Sequence, residues 1–360
     1  MNNLTLEKEI LDILKKLLAF ESTQHNELEL EKSFNYVYEF LKNQNLFVKI
    51  FKSAGKKSMY VTFVKNNPKP AIILNGHLDV VDSHKEHFRM KKSGDKLLGR
   101  GVADMKGPLS VVLKLMADLS IEKNQPDCGL MIVTDEEIGG YNGTKFLRDQ
   151  GIKPKFFMAC EPSDEKIITD AKGVLWLKLT TEGKPGHAAR PWLYPNPIKK
   201  MLINLKLYPQ VIDKNYKKNE WVTTYNLTYL HSGKDVNQVP KMAEAILDIR
   251  YIPKDNPQKI ITSFKKNRDW KVKMLMCEPA AYCNAENGFV KKLRNSFNNP
   301  FEISRQPGAT DARFYSQIGV PSISFGPIGG GYHSEEEWVS VSSLIKYYHT
   351  LKTFLTNYER

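Results

Sequence analysis

The chain has 360 residues, 41% of them hydrophobic, and a formal net charge of +13, which is enough apolar material for one or two cores and points to about two domains. No stretch approaches the roughly 18 consecutive apolar residues of a membrane span, and the four cysteines show no CxxC or framework spacing, so a membrane-spanning helix and a disulfide scaffold are both excluded. The lysines are scattered rather than gathered in one arm or helix, which argues against a nucleic-acid partner, whereas a positive field would attract a small carboxylate-bearing substrate.

In chain order, Ile10, Ile13, Leu14, Leu17 and Leu18 form a helical stripe with Thr5 as its expected N-cap. Glu7, Glu9 and interspersed lysines interrupt this run, so it reads as an ordinary first helix rather than a signal peptide, and a reducing cytoplasm is the expected compartment. A second stripe, Leu30, Phe34, Val37 and Leu41, precedes strand-like FVKIF, MYVTFV and the buried-looking AIILNGHLDVV. A helix then starts near Pro108, followed by strands at GLMIVTDEE and KFFMACEP. This alternation predicts an α/β catalytic domain with a mostly parallel sheet flanked by helices, its opening segment spanning residues 1–172.

Near Gly173 the texture changes. VLWLKLTTEGK alternates Leu175, Leu177 and Leu179 against Trp176, Lys178 and Thr180, as a half-exposed antiparallel strand does, and AEAILDIRY repeats the style. With a helix over PIKKMLINLKLY, residues 173–283 read as an inserted α+β domain. Helix (FVKKLRNSF), strand (SISFG) and a last helix carrying Leu344, Tyr348, Leu351 and Leu355 complete the catalytic domain over 284–360.

Five segments carry chemistry. Their metal-type ligands are His77 in NGHLDVV, Asp104 in GRGVADMKG, Glu137 in TDEEIGG, Glu161 in ACEPS and His333 in GGGYHSEEE. Two imidazoles and three carboxylates are what a two-metal hydrolytic site requires; they suit Zn²⁺, Co²⁺ or Mn²⁺, and with no Cys among them the site should be open and catalytic. His77 and Asp79 are two apart on a strand and share a face, so Asp79 either holds the imidazole's far nitrogen or caps the next loop. Asp104, among Gly99, Gly101 and Gly107, fits a carboxylate bridging two ions or the cap of the helix near Pro108. Glu136 and Glu137 are neighbouring carboxylates that repel unless compensated; one can bind metal while the other shuttles a proton from water to the leaving amine, or both form an exposed acidic turn. Glu161 follows apolar FFMAC, where a lone carboxylate is costly, and Cys160 beside it reads as a buried thiol.

The set GHLDVV, GRGVADMKG, TDEEIGG, CEPS and YHSEEEWV, spread in order over nearly the whole chain, resembles the co-catalytic metallohydrolase family of succinyl-diaminopimelate desuccinylases, acetylornithine deacetylases, aminoacylases and glutamate carboxypeptidases. The resemblance implies that His77 and Glu161 complete one zinc site and Glu137 and His333 the other, with Asp104 bridging, Glu136 as general base and Asp79 orienting His77. It implies that a metal-bridged hydroxide cleaves the amide of an N-acyl amino acid, with a carboxypeptidase or dipeptidase as the alternative. The inserted segment resembles a lid that also dimerises: GKPGHAARP makes His187 the oxyanion-stabilising group, and a homodimer is expected. Asn237 in DVNQVP and Arg250 in LDIRY resemble substrate contacts, and PGATDARF resembles the loop that places Gly308, Thr310 and Arg313 near the substrate's carboxylate. This loop departs from the GGTSDGR of the desuccinylases, Arg190 departs from their lid motif and is a further candidate carboxylate contact, and Asp82 replaces the proline that commonly follows GHxDVV.

Overall fold

The computed structural model describes residues 2–217, 220–297 and 299–358. They form two compact units: residues 1–169, 281–305 and 310–360, and residues 170–280 with 306–309.

The first unit is built on a nine-stranded sheet in the order Phe47–Ser53, Lys56–Thr62, Cys128–Val133, Ile72–His77, Phe156–Ala159, Ser322–Ser324, Ile167–Ala171, Ala281–Tyr282, with Ile303–Gln306 beside Ile167–Ala171. The four central strands, Cys128–Val133 through Ser322–Ser324, run parallel, and antiparallel strands flank them on either side. Covered on both faces, the central strands read as near-continuous apolar runs rather than alternating ones. Ile72, Leu74, Leu130, Ile132, Phe156 and Met158 share one core with the helices Asn3–Leu18, Lys106–Ser120 and Val341–Asn357, which pack against one another. On the opposite face Phe157 stacks on Tyr315 of the helix Ala312–Ser316, ring centroids 4.3 Å apart.

The first helix starts earlier than its stripe suggests. Its N-cap is Asn2, whose side chain accepts from Leu4 N, and Thr5 lies inside the first turn. The apolar stripe fixes which face is buried but not where the backbone enters the helix; that depends on a side-chain oxygen reaching a free amide.

Register is what builds the site. His77 pairs with Val133, and Asn75 pairs with Ala159, so the carboxyl ends of three parallel strands lie side by side. A separate four-stranded sheet of very short strands, in the order Gly329–Gly330, Trp338–Ser340, Lys96–Leu98 and Lys91–Ser93, sets the loop after Leu98 beside the segment that carries His333.

The second unit holds a four-stranded antiparallel sheet in the order Thr224–Ser232, Met242–Tyr251, Gly173–Glu182, Lys271–Glu278. Leu175, Leu177 and Leu179 are buried with Ala245, Leu247 and Ile249 under the helices Pro197–Lys206 and Pro257–Lys265, while Trp176, Lys178 and Thr180 are half-buried on the other face. Period-two alternation follows because only one face of this sheet is covered.

No helix among the described residues is long and apolar enough to cross a membrane. Leu74 has no exposure and sits in the strand that ends in His77. Leu74→Ala is expected to cost about 2–5 kcal/mol through lost burial and the cavity left behind, read as a lowered midpoint in urea unfolding of the purified protein.

Candidate metal centre

The first imidazole is delivered by a strand. His77 is the last residue of Ile72–His77 and is 1% exposed. Its Nδ1 lies 2.8 Å from the Asp79 main-chain oxygen; since a carbonyl only accepts, Nδ1 carries a hydrogen, and Nε2 is the nitrogen that faces the site. Asp79 reaches the ring's far nitrogen most closely through its main-chain oxygen. The Asp79 carboxylate is 3.6 Å from Nδ1 and instead accepts from the amides of Glu136 (3.3 Å) and Glu137 (2.9 Å) and from Gln24 Nε2 (2.8 Å).

Facing Nε2 are Asp104 Oδ1 at 3.2 Å and Glu161 Oε1 at 3.7 Å. The other Asp104 oxygen, Oδ2, is 3.4 Å from His333 Nε2, which is 3.3 Å from Glu137 Oε2. Two triads result, His77–Asp104–Glu161 and Asp104–Glu137–His333, each with its donor atoms within 4.8 Å of one another. Asp104 belongs to both.

Asp104 is not consumed as a helix cap. The helix Lys106–Ser120 has Met105 at its N-cap without a side-chain hydrogen bond, and Asp104 turns into the site. Its loop is held by Glu337, a residue that nothing in the local sequence singles out. Glu337 Oε1 accepts from Ala103 N (2.9 Å) and Asp104 N (3.0 Å), and Oε2 from Gly101 N (2.9 Å) and Arg100 Nη1 (2.5 Å). Gly101 has φ +80°, and a Cβ there would lie 2.7 Å from Val80 Cγ1, so the turn admits only glycine without a shift.

Glu136 and Glu137 lie in the single 3₁₀ turn Glu136–Ile138 that follows the strand Cys128–Val133. Behind this turn sits a buried pair, Arg313 and Asp311, of which Arg313 is the residue expected near the substrate's carboxylate. Arg313, 4% exposed, donates from Nη2 to Gly139 O at 2.7 Å and lies 3.4 Å from Asp311 Oδ1. Asp311 has no exposure and accepts from Thr144 Oγ1 at 2.5 Å. A Cβ on Gly140 (φ +65°) would fall 2.3 Å from Asp311 Oδ1, which ties the TDEEIGG glycine to this contact. Thr310 is also buried, its hydroxyl accepting from Ala312 N at 3.2 Å.

Charge is strongly unbalanced here. Burial, then the like charges of Asp311, Glu161 and Glu137, hold Glu136 well above the usual carboxylate range, with His77 opposing. Burial, with Asp104, Asp311 and Glu137, does the same to Glu161 against the pull of His77. Burial disfavours a charged His77, yet Glu161, Asp104 and Asp79 outweigh it and raise its pKa well above the ordinary value. Asp104 is lowered despite burial, because His333 and His77 bond to it, and His333 is raised to about 10 by Asp104 and Glu137. Such a surplus of carboxylate over cation fits divalent ions, and the nitrogen–oxygen donor set fits Zn²⁺, Co²⁺ or Mn²⁺. Cys160, beside Glu161, is a buried thiol pushed up to about 12 by burial and supplies no thiolate.

A model of peptidase family M20/M25/M40 matches residues 73–357. The chain belongs to this family. As an M20 protein it is a metal-dependent hydrolase of amide bonds. The chain is similar to succinyl-diaminopimelate desuccinylases of Rickettsia massiliae, at 28% identity over 96% of this chain and 98% of the relative, and of Rickettsia canadensis, at 29% over 96% and 99%. Among solved structures, the aminopeptidase PepT of Bacillus cereus shares the fold with a TM-score of 0.82 at 15% identity, covering 98% of this chain and 99% of that one. A metallo-carboxypeptidase of Sulfolobus solfataricus does so with 0.78 at 19%, covering 97% and 99%, and a dinuclear metal-binding peptidase of Bacillus subtilis with 0.72 at 11%, covering 99% of each.

In the second unit of this M20 chain, the two-residue strand Gly186–His187 pairs with Gln238–Val239, and Ala188 N donates to Asn237 O at 2.9 Å. This brings His187 and Asn237 together, both exposed, with the exposed Arg190 following in the same turn. The His187 Nδ1 accepts from Ala189 N at 3.1 Å. Arg250 is paired on its own strand, Nε and Nη2 reaching Asp248 at 2.8 and 2.9 Å. Gly308 is exposed, with open space where a Cβ would be.

His333 gives a pH prediction. A folded-state value near 10, against about 6.5 unfolded, means that its pairing with Asp104 and Glu137 stabilises fully below pH ~6.5 and fades as pH rises through ~10. In chelator-treated protein, His333→Ala should therefore destabilise at pH 6, with an effect that shrinks between pH 7 and 10 in urea unfolding.

Proposed function

We propose that the chain hydrolyses the amide bond of an N-acyl amino acid, of the desuccinylase or deacetylase type, with two divalent metal ions, Zn²⁺ being the natural occupant and Co²⁺ or Mn²⁺ its substitutes. The observation that carries this reading is the pair of ligand triads sharing Asp104, with the unshared carboxylate of Glu136 next in sequence to Glu137. In it, His77 and Glu161 would hold one ion and Glu137 and His333 the other, with Asp104 serving both; ions bound there would polarise the amide carbonyl and acidify a water.

The rest of the work falls to the chain. Glu136 takes the proton from the attacking water and hands it to the amine nitrogen as the C–N bond breaks, releasing a carboxylate and a free amino acid. Its carboxylate makes no hydrogen bond among the described residues, while its backbone amide is held by Asp79, so the group is placed without being engaged. The Asp79 carbonyl keeps His77 in the tautomer whose Nε2 faces the site. The net charge of +13 favours approach of a carboxylate-bearing substrate.

The reading extends to the second unit. We assign His187 the donation of a hydrogen bond to the developing oxyanion, and Asn237, Arg190, Arg250 and Gly308 contacts to the substrate; Thr310 and Arg313 act from behind the Glu136 turn. We place a homodimer interface on this unit, where Leu202 and Ile203 on the helix Pro197–Lys206 and Tyr229 and Leu230 on the edge strand Thr224–Ser232 are exposed.

The test is hydrolysis by zinc- and cobalt-loaded protein of N-succinyl-diaminopimelate, N-acetylornithine, other N-acetyl amino acids and C-terminal glutamate dipeptides. Cleavage of an acyl amino acid supports the reading, and cleavage of dipeptides alone makes the chain a peptidase. Glu136→Gln should retain its metal yet lose about 10²–10⁴-fold in kcat; an unchanged rate removes Glu136 as the base. His187→Ala should lose about 10²–10³-fold in kcat, as expected for an oxyanion donor, with metal content unaltered.

A further inference from the structure

Asp104 and His333 lie in loops, away from the strand ends that carry His77 and Glu161. His77 ends a fully buried strand paired on both sides, and Glu161 follows the strand Phe156–Ala159, with Cys160 N donating to Asn75 O at 2.9 Å. Asp104, by contrast, sits in a loop. His333 adopts φ +61°, a left-handed conformation uncommon for a residue with a side chain, and its side chain is 53% exposed.

Both loops converge on one residue. Glu337 has 1% exposure, and its two oxygens satisfy three amides of one loop, Gly101, Ala103 and Asp104, that would otherwise be buried donors without a partner. The Glu337 main-chain oxygen accepts from Gly99 N at 3.2 Å, which fixes the start of the same loop. Arg100 neutralises the carboxylate and donates from Nη2 to Ser334 O at 3.0 Å, reaching the residue after His333. A buried carboxylate survives only with such charge-assisted donors, so the arrangement is specific to an ionised Glu at 337 and a guanidinium at 100.

We propose that Glu337, with Arg100 as its counter-ion, is the positioning residue that sets the metal affinity of the Asp104–Glu137–His333 triad, while the His77 side of the centre depends on it less. This rests on the two-ion reading above. The asymmetry follows from the supports: loss of Glu337 frees the Asp104 loop and the His333 segment together, whereas His77 keeps its strand and its bond to Asp79 O. Glu337→Gln is isosteric but turns an NH₂ group toward N–H donors, replacing attraction by repulsion on one side of the cradle.

Stepwise Co²⁺ titration, followed by visible absorption and by metal analysis after dialysis, reads the effect without reference to catalysis. The wild type should take up two ions. Glu337→Gln should bind the first within about threefold of wild type and the second about 10–100-fold more weakly, the usual range for residues that support metal ligands. Two steps with wild-type affinities, or two steps weakened equally in a variant that melts like the wild type, would overturn the proposal. Should Glu337→Gln melt below the assay temperature, Arg100→Gln, which leaves the three amide bonds in place, decides by the same criterion, with weakening confined to the second step as the supporting result. A wild type that binds fewer than two ions removes the two-ion reading itself, and the proposal with it, an outcome visible before any variant is made.

Discussion

Four carboxylates, from Asp104, Glu136, Glu137 and Glu161, meet two imidazoles in the first unit, and three more, from Asp79, Asp135 and Asp311, are buried close behind them. At a separation of 4 Å and an effective dielectric of 20, each unrelieved like-charge pair costs about 4 kcal/mol. A fold with a stability of the ordinary size, about 5–15 kcal/mol, does not carry several such pairs uncompensated. Much of the local architecture is intelligible as the means of holding this charge in place until cations complete it. The carboxylates of Asp79 and Glu337 are spent on backbone amides, Asp311 is set against Arg313 and Thr144, and Asp104 draws hydrogen bonds from both imidazoles.

The members of the two triads divide by how they are held. Those at strand ends inherit their positions from sheet register, with His77 opposite Val133 and Asn75 opposite Ala159. Those on loops need added hydrogen bonds, and the structure supplies them from far away in sequence: Gln24 reaches Asp79, and Glu337 reaches the Asp104 loop. The same loops carry positive-φ glycines at Gly101 and Gly140, where the backbone passes close to Val80 and Asp311. The second unit answers a different demand. It carries no ligand triad among the described residues; its sheet is buried on one face only, and it exposes His187, Asn237 and a set of large apolar side chains.

The amino-acid sequence by itself was enough for the class of fold and the change of texture near Gly173, and it named the five residues that the structure gathers into two triads. These are legible because each leaves a local mark: buried parallel strands read as apolar runs, a one-faced sheet alternates, and a carboxylate straight after an apolar run calls for a partner. The first helix's cap, the division of labour between the Asp79 carbonyl and carboxylate, the inward turn of Arg313 and the cradle formed by Glu337 and Arg100 were decided only by tertiary structure. Each depends on which backbone amide or carbonyl comes within 3 Å of a side chain from another segment. No pattern along the chain encodes such a distance, since Glu337 and Asp104 are joined by a hydrogen bond across 233 residues of sequence. Sequence specifies which groups need a partner, and the packing of strands and loops chooses the partner.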